Sequence, residues 1–398
     1  MKIGIISAIN PVELKDFLYE EQKFPDTQVS ASSVHALIAG LVKLGHYVTV
    51  IGPASTRSLG GWHKCNLSGS GLKIVLVPVL PKIDFLVSPF YLPQSLARVI
   101  KGELNNMDVI HSQWTYECAA ATLAFSNRLP TFCSVRDWWP VQNKYFENSS
   151  FRNRTNWGWS KKIMFKKVFA DNRIHFVANS QYTKSQILSL YPQYEVPIIE
   201  NPINGGYILE NKPFVFNDVF VSISYSLLEK RKNIYTLLRA FMLYRKNHED
   251  AKLLLVGGCP RDSESYNNWE KEGLLHSVEF LGRLRHDEVI RAIDRASVLI
   301  HPSLEETYGN ILLEAMARRA LVIGGESSGA VPSVLGEGEY GVLCDVSNYK
   351  SILSAMEGIY ECPARYNNIV DSASDHLKED LSDEAIAKKH LELYHSFL

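Results

Sequence analysis

The chain has 398 residues, enough for two domains of ordinary size, each able to bury its own core. An apolar fraction of 46% and a charged fraction of 21% describe a globular protein, and a formal net charge of -1 excludes a global field that would steer it to nucleic acid or membrane. The six cysteines form no C-x-x-C pair and no Cys/His cluster of zinc spacing, so they read as buried free thiols in a reducing compartment.

Met1-Lys2 runs directly into an apolar strand, without the pattern of a signal peptide. No stretch reaches ~18 uninterrupted apolar residues. The most apolar region, 72–92, is broken by Lys73, Pro78, Pro81, Lys82 and Asp84. A cytoplasmic chain is the expectation. Short, nearly continuous apolar runs at 3–6, 48–51, 74–77, 109–111, 131–135, 176–178 and 198–199 predict strands buried on both faces. Helical patterns fall between them at 33–44, 94–104, 117–127 and 181–190. In the first of these Val34, Leu37, Ile38, Leu41 and Val42 share a face, and Gly45 ends it. The second half repeats the style, with strands at 220–224, 252–256, 278–281, 298–300 and 321–323 and helices at 233–246, 287–295, 311–318 and 348–360. A last helix spans 383–397. This alternation predicts an α/β chain of two Rossmann-like, doubly wound domains facing a cleft, with parallel sheets. Turn residues around Asn201-Pro202-Ile203-Asn204-Gly205-Gly206 place the boundary: residues 1–203 form one domain, with 381–398 packing back on it, and 204–380 the other.

The chemistry concentrates after the strand at 298–300. Pro302 and Ser303 turn the chain, Gly309 opens a loop, and a helix begins near Ile311 with Asn310 as N-cap. A helix start offers N–H groups and a positive dipole end to phosphate. Glu306 lies in the loop and Glu314 one turn into the helix, both able to accept hydrogen bonds from sugar or ribose hydroxyls. On spacing alone, a chance pair of glutamates is the simpler reading.

The whole string changes that balance. Pro302-Ser303-Leu304-Glu305-Glu306-Thr307-Tyr308-Gly309-Asn310-Ile311-Leu312-Leu313-Glu314-Ala315-Met316-Ala317 resembles the E-x7-E signature of family 4 glycosyltransferases, which have the GT-B fold. Asn179-Ser180, Val256-Gly257-Gly258, Phe280-Leu281-Gly282, Gly329-Ala330-Val331-Pro332 and Gly341-Val342-Leu343 extend the resemblance. It implies a transferase that takes a sugar from a nucleotide diphosphate donor with retention and needs neither metal nor cofactor. Glu306 would contact the transferred sugar and Glu314 the ribose. The backbone of Thr307, Tyr308, Gly309, Asn310 and Ile311 would approach sugar and diphosphate, and Lys232 would neutralise the diphosphate. The family often adds an arginine after the preceding strand. Here Tyr225-Ser226-Leu227 holds that place, leaving Lys230 or Arg231 to compensate.

The first half resembles the family less. Val29-Ser30-Ala31-Ser32-Ser33 stands where many members have a Gly-Gly loop, and Ser32 or Ser33 also suits a helix cap. Asp137, in Arg136-Asp137-Trp138-Trp139-Pro140, is the candidate to face an acceptor hydroxyl, with a backbone bond in the turn nearly as good a reading. His111 reads as structural. Lysines 161, 162, 166 and 167 alternate with apolar residues, preceded by Trp157 and Trp159. Residues 157–169 would either pack on their own domain with a solvated lysine face or touch the inner face of an anionic membrane. No base-reading motif accompanies them, so nucleic acid is not an expected partner. The expected partners are a nucleotide sugar and a glycan or lipid-linked glycan, in cell-surface polysaccharide synthesis. A nucleotide-sugar epimerase and a non-catalytic, membrane-docking scaffold are the competing readings.

Overall fold

The computed structural model describes residues 1–29, 31–79, 84–146, 156–210 and 212–398. Ser30 of the small-residue loop, residues 80–83 of the apolar region and residues 147–155 before the basic helix lie outside them. The chain divides into two compact units, Met1–Asn204 with Leu381–Leu398, and Gly205–Asp380.

The first unit holds β1 (Lys2–Ile6), β2 (Tyr47–Ser55), β3 (Cys65–Ser68), β4 (Leu72–Val79), β5 (Val109–Gln113), β6 (Thr131–Val135) and β7 (Ile174–Ala178). They form one sheet in the order β3-β4-β2-β1-β5-β6-β7. All neighbours are parallel except β3, which runs antiparallel to β4 at the edge. β3 carries only Leu67 as a buried residue, so it lacks the continuous apolar run that marks the others. Residues 198–199 are not a strand but a single bridge between Ile198 and Ala178. The helix expected over 117–127 stops at Thr122.

Alternation along the strands sends residues to two cores. Ile3 and Ile5 meet Val34, Leu37, Ile38 and Leu41 on one face. Ile6 meets Leu96, Ile100 and Ile110 on the other. The helix Ser32–Lys43 has Ala31 at its N-cap position and no side-chain cap, so neither Ser32 nor Ser33 caps it. It ends in a Schellman closure: His46 N–H donates to Leu41 O, Gly45 N–H to Val42 O, and Gly45 sits at φ +82°. The C-terminal helix Asp383–His395 lies against it. A Cβ on Gly40 would fall 2.1 Å from Asp383 O, so glycine is what lets the two helices approach.

The second unit holds β8 (Val219–Ser226), β9 (Lys252–Gly258), β10 (Val278–Gly282), β11 (Val298–His301), β12 (Leu321–Gly325) and β13 (Val342–Cys344). Their order is β10-β9-β8-β11-β12-β13, all parallel. The order reverses between β8 and β11, the switch point where open α/β sheets bind ligands at strand carboxyl ends. Phe220, Leu253, Leu255, Val298 and Ile300 pack with Leu237, Leu238, Phe241, Ile352 and Met356. Of the cysteines, 118, 133 and 344 are buried, with thiols pushed up to about 12, chiefly by burial. Cys65 and Cys259 are half-buried and Cys362 is exposed, so the buried-thiol expectation fails for that last one.

Candidate active site

Two loops flank the switch point. After β8 the chain makes a tight turn over Lys230–Lys232, and Asn233 takes φ +53° before the helix Ile234–Tyr244. Asn233 Nδ2 donates to Val346 O at 2.7 Å, which fixes this unusual residue. After β11, Leu304 N–H donates to Arg231 O at 2.8 Å and ties the second loop to the first.

Glu306 is the hub of the pair. Its carboxylate accepts from Lys232 Nζ at 2.5 Å, Ser303 Oγ at 2.8 Å and Arg231 Nη1 at 3.0 Å, and His301 Nε2 lies 3.2 Å away. Arg231 also donates to Glu229 and to Glu305 O. Burial alone would raise the Glu306 pKa, but Lys232, then Arg231, outweigh it and hold the carboxyl well below its usual range. Burial lowers His301 against the pull of Glu306. The Glu306 backbone is clamped as well, for Ala330 N–H donates to its carbonyl at 2.9 Å. Gly329 sits at φ +66° with its would-be Cβ 2.4 Å from that carbonyl. No side chain fits there.

Thr307 and Tyr308 are buried, and Gly309 turns the chain at φ +92° into the helix Asn310–Ala317. Gly309, not Asn310, holds the N-cap position, and no side chain caps the helix. Asn310 and Ile311 begin it half-buried. Glu314 is buried, with Oε1 at 3.2 Å from His286 Nε2, and His286 Nδ1 is 3.3 Å from Tyr207 Oη. Sequence reasoning passed over His301, Ser303 and His286. The strand-end position at the switch point marks the first two. Nothing in the sequence marks His286, because 28 residues separate it from Glu314.

Arg231 is buried and engaged with Glu229 and Glu306, and Lys230 is exposed. Asp137 lies in the other unit, half-buried just past β6. Its neighbour Arg136 is buried and donates Nε to Gln113 Oε1 at 2.6 Å and Nη1 to Ser33 Oγ at 3.1 Å. His111 is buried between Tyr394 Oη at 2.6 Å and Ser134 Oγ at 2.8 Å. In the helix Lys161–Phe169, Met164, Phe165, Val168 and Phe169 pack into their own unit while Lys162, Lys166 and Lys167 are exposed. Among the described residues no helix is long and apolar enough to cross a membrane.

Residues 30–205 match the profile of Glycosyltransferase Family 4, and residues 209–376 that of Glycosyl transferases group 1. The chain belongs to this glycosyltransferase family. The gpi3 subunit of phosphatidylinositol N-acetylglucosaminyltransferase from Schizosaccharomyces pombe is 24% identical over 78% of this chain and 66% of its own length. Other curated relatives are matched over as little as 40% of their length. Among solved structures, sucrose-phosphate synthase from Thermosynechococcus elongatus superposes with a TM-score of 0.73 at 16% identity, over 100% of this chain and 99% of that one. Anabaena HepE in complex with UDP and glucose gives 0.67 at 14% identity, over 100% of both. These structures have the GT-B fold, and this chain shares it.

Proposed function

We propose that this glycosyltransferase moves a hexose from a nucleotide diphosphate sugar, most simply a UDP-sugar, to a hydroxyl of a glycan or lipid-linked glycan, with retention and without a metal. The observation that carries the reading is the Glu306 cluster at the switch point. One buried carboxylate is held ionised by Lys232 and Arg231, in the loop that leads into the helix carrying the buried Glu314. When donor binds, the diphosphate draws Lys232 from Glu306, and the freed carboxylate oxygen accepts a sugar hydroxyl. Glu314 takes the ribose hydroxyls. In the transfer the bond from the anomeric carbon to the diphosphate oxygen breaks, and that carbon bonds to the acceptor oxygen. The acceptor proton passes to the departing diphosphate, whose charge Lys232 and the N-terminal end of the Asn310–Ala317 helix stabilise.

HepE with bound UDP and glucose supports the choice of donor, and the gpi3 subunit's name supports a lipid-linked acceptor. Asp137 would hold the acceptor hydroxyl. The Lys161–Phe169 helix keeps its apolar face in its own core, so membrane contact would be electrostatic, through its exposed lysines. The test is a thermal-shift panel of UDP, GDP, ADP, CMP and dTDP and their sugars, on wild type and Glu314→Ala. One nucleotide raises the midpoint, and the mutant loses that rise. No shift with any nucleotide at millimolar concentration overturns the donor site and favours the scaffold reading. Donor turnover into free epimer, with no acceptor product, would mark an epimerase.

A further inference from the structure

Three adjacent strands of the second unit end at Ser226, Gly258 and Gly282, on the carboxyl edge that binds ligands in such sheets. β10 stands two places from β8, yet one side chain spans the interval. Gly282 takes φ +71°, and from the next residue the Arg283 guanidinium lies back over the ring of Tyr225, with Cζ 4.2 Å from its centroid. The path crosses Gly258. A Cβ there would lie 2.9 Å from Arg283 Nε and 3.2 Å from Nη2, so the bare backbone is what admits the arm. Leu227 N–H donates to Gly258 O at 3.0 Å and joins this point to the loop that carries Lys232.

Among the described residues Arg283 makes no ion pair and no hydrogen bond, while Arg231 is spent on Glu229 and Glu306. Tyr225 is 77% exposed, an aromatic ring left in water with a cation on its face. Such stacking orients a guanidinium and leaves its N–H fork for another partner. A planar fork of this kind matches phosphate oxygens bidentately.

We propose that Arg283 is a further donor-binding residue, which meets the diphosphate from the β10 side while Lys232 meets it from the β8 loop. The proposal rests on the donor-site reading above. It explains why no arginine is needed at Tyr225: the ring there supports an arginine that arrives from another strand. Gly258 is part of the device, because a larger residue would push the arm away.

The test is calorimetric affinity for uridine, UMP and UDP (or the same series of the base that the panel selects). The variants are wild type, Arg283→Met, Arg283→Lys, Gly258→Val and, as a control on the donor site, Glu314→Ala. Arg283→Met should weaken UDP roughly tenfold, as loss of a charge-assisted pair does, and leave uridine within about twofold. Arg283→Lys should restore part of the loss, and Gly258→Val should reproduce it. Added salt should shrink the difference between wild type and Arg283→Met. UDP binding unchanged in Arg283→Met but lost in Glu314→Ala would overturn the role of Arg283 and leave the donor site standing. An equal loss for all three ligands would place Arg283 on the base and overturn the diphosphate contact. Failure of wild type to bind any of the series, or full binding by Glu314→Ala, would remove the donor-site reading and this proposal with it.

Discussion

Burial and charge pull on Glu306 in opposite directions, and two cations decide the outcome. Replacing it with glutamine removes the partner that holds Lys232, so Glu306→Gln should bind a nucleoside diphosphate at least as tightly as wild type. Transfer should fall by about 10²-fold or more, since the sugar loses a charged acceptor. Calorimetry with UDP and a product assay separate the two effects, and weaker UDP binding would contradict the exchange of Lys232. The same carboxyl sets an acid limit. Its folded-state pKa is depressed, so its contribution is present above the unfolded value of about 4.3 and is lost as pH falls toward the folded one. His390 acts earlier. Burial first, then Arg136 and Lys389, lower it to about 3, while the unfolded chain protonates near 6.5. Its neutral, buried form therefore stabilises the fold above about pH 6.5, and that stability drains away as pH falls toward 3. A melting curve from pH 8 to 4 should begin to fall below about pH 6.5, before the carboxyls titrate. His390→Gln should make that limb shallower.

At the scale of elements, glycines fix how segments meet. Gly329 backs the Glu306 peptide at a φ that other residues avoid. Gly329→Ala should displace Glu306 and lower kcat by more than tenfold, while far-ultraviolet circular dichroism keeps the native helix content. Donor affinity through Glu314 should fall less. Gly40 has a purely architectural task, because the Asp383–His395 helix starts against it and Lys43 pairs with Asp383 at 2.6 Å. Gly40→Leu forces these helices apart. It should cost about 1–3 kcal/mol in chemical denaturation, the range for overpacking a tight contact.

For the whole molecule the chain order matters, since the C-terminal residues belong to the first unit. Tyr394 is fully buried there and bonds His111, which lines the same core region as Phe132. Deleting residues 381–398 should lower the melting transition of the first unit and leave UDP affinity nearly unchanged, since the proposed donor site lies in residues 205–380. Equal loss of both would mean that the units do not behave as separate cooperative bodies. Differential scanning calorimetry with and without UDP reads both quantities from one sample.

The sequence by itself determined the α/β alternation, because strands buried on both faces leave apolar runs that helices separate at regular intervals. It also exposed the segment from Pro302 to Ala317, whose candidate residues are neighbours along the chain and so keep their spacing in any fold. The edge strand Cys65–Ser68 was invisible, since a half-solvated strand carries little apolar signal. Only the tertiary structure brought Arg231, Lys232 and Ser303 onto one carboxylate, set His286 against Glu314, and laid Arg283 across Gly258 onto Tyr225. Those contacts join loops from different strands, and their partners are fixed by strand order and register, which local sequence patterns do not encode.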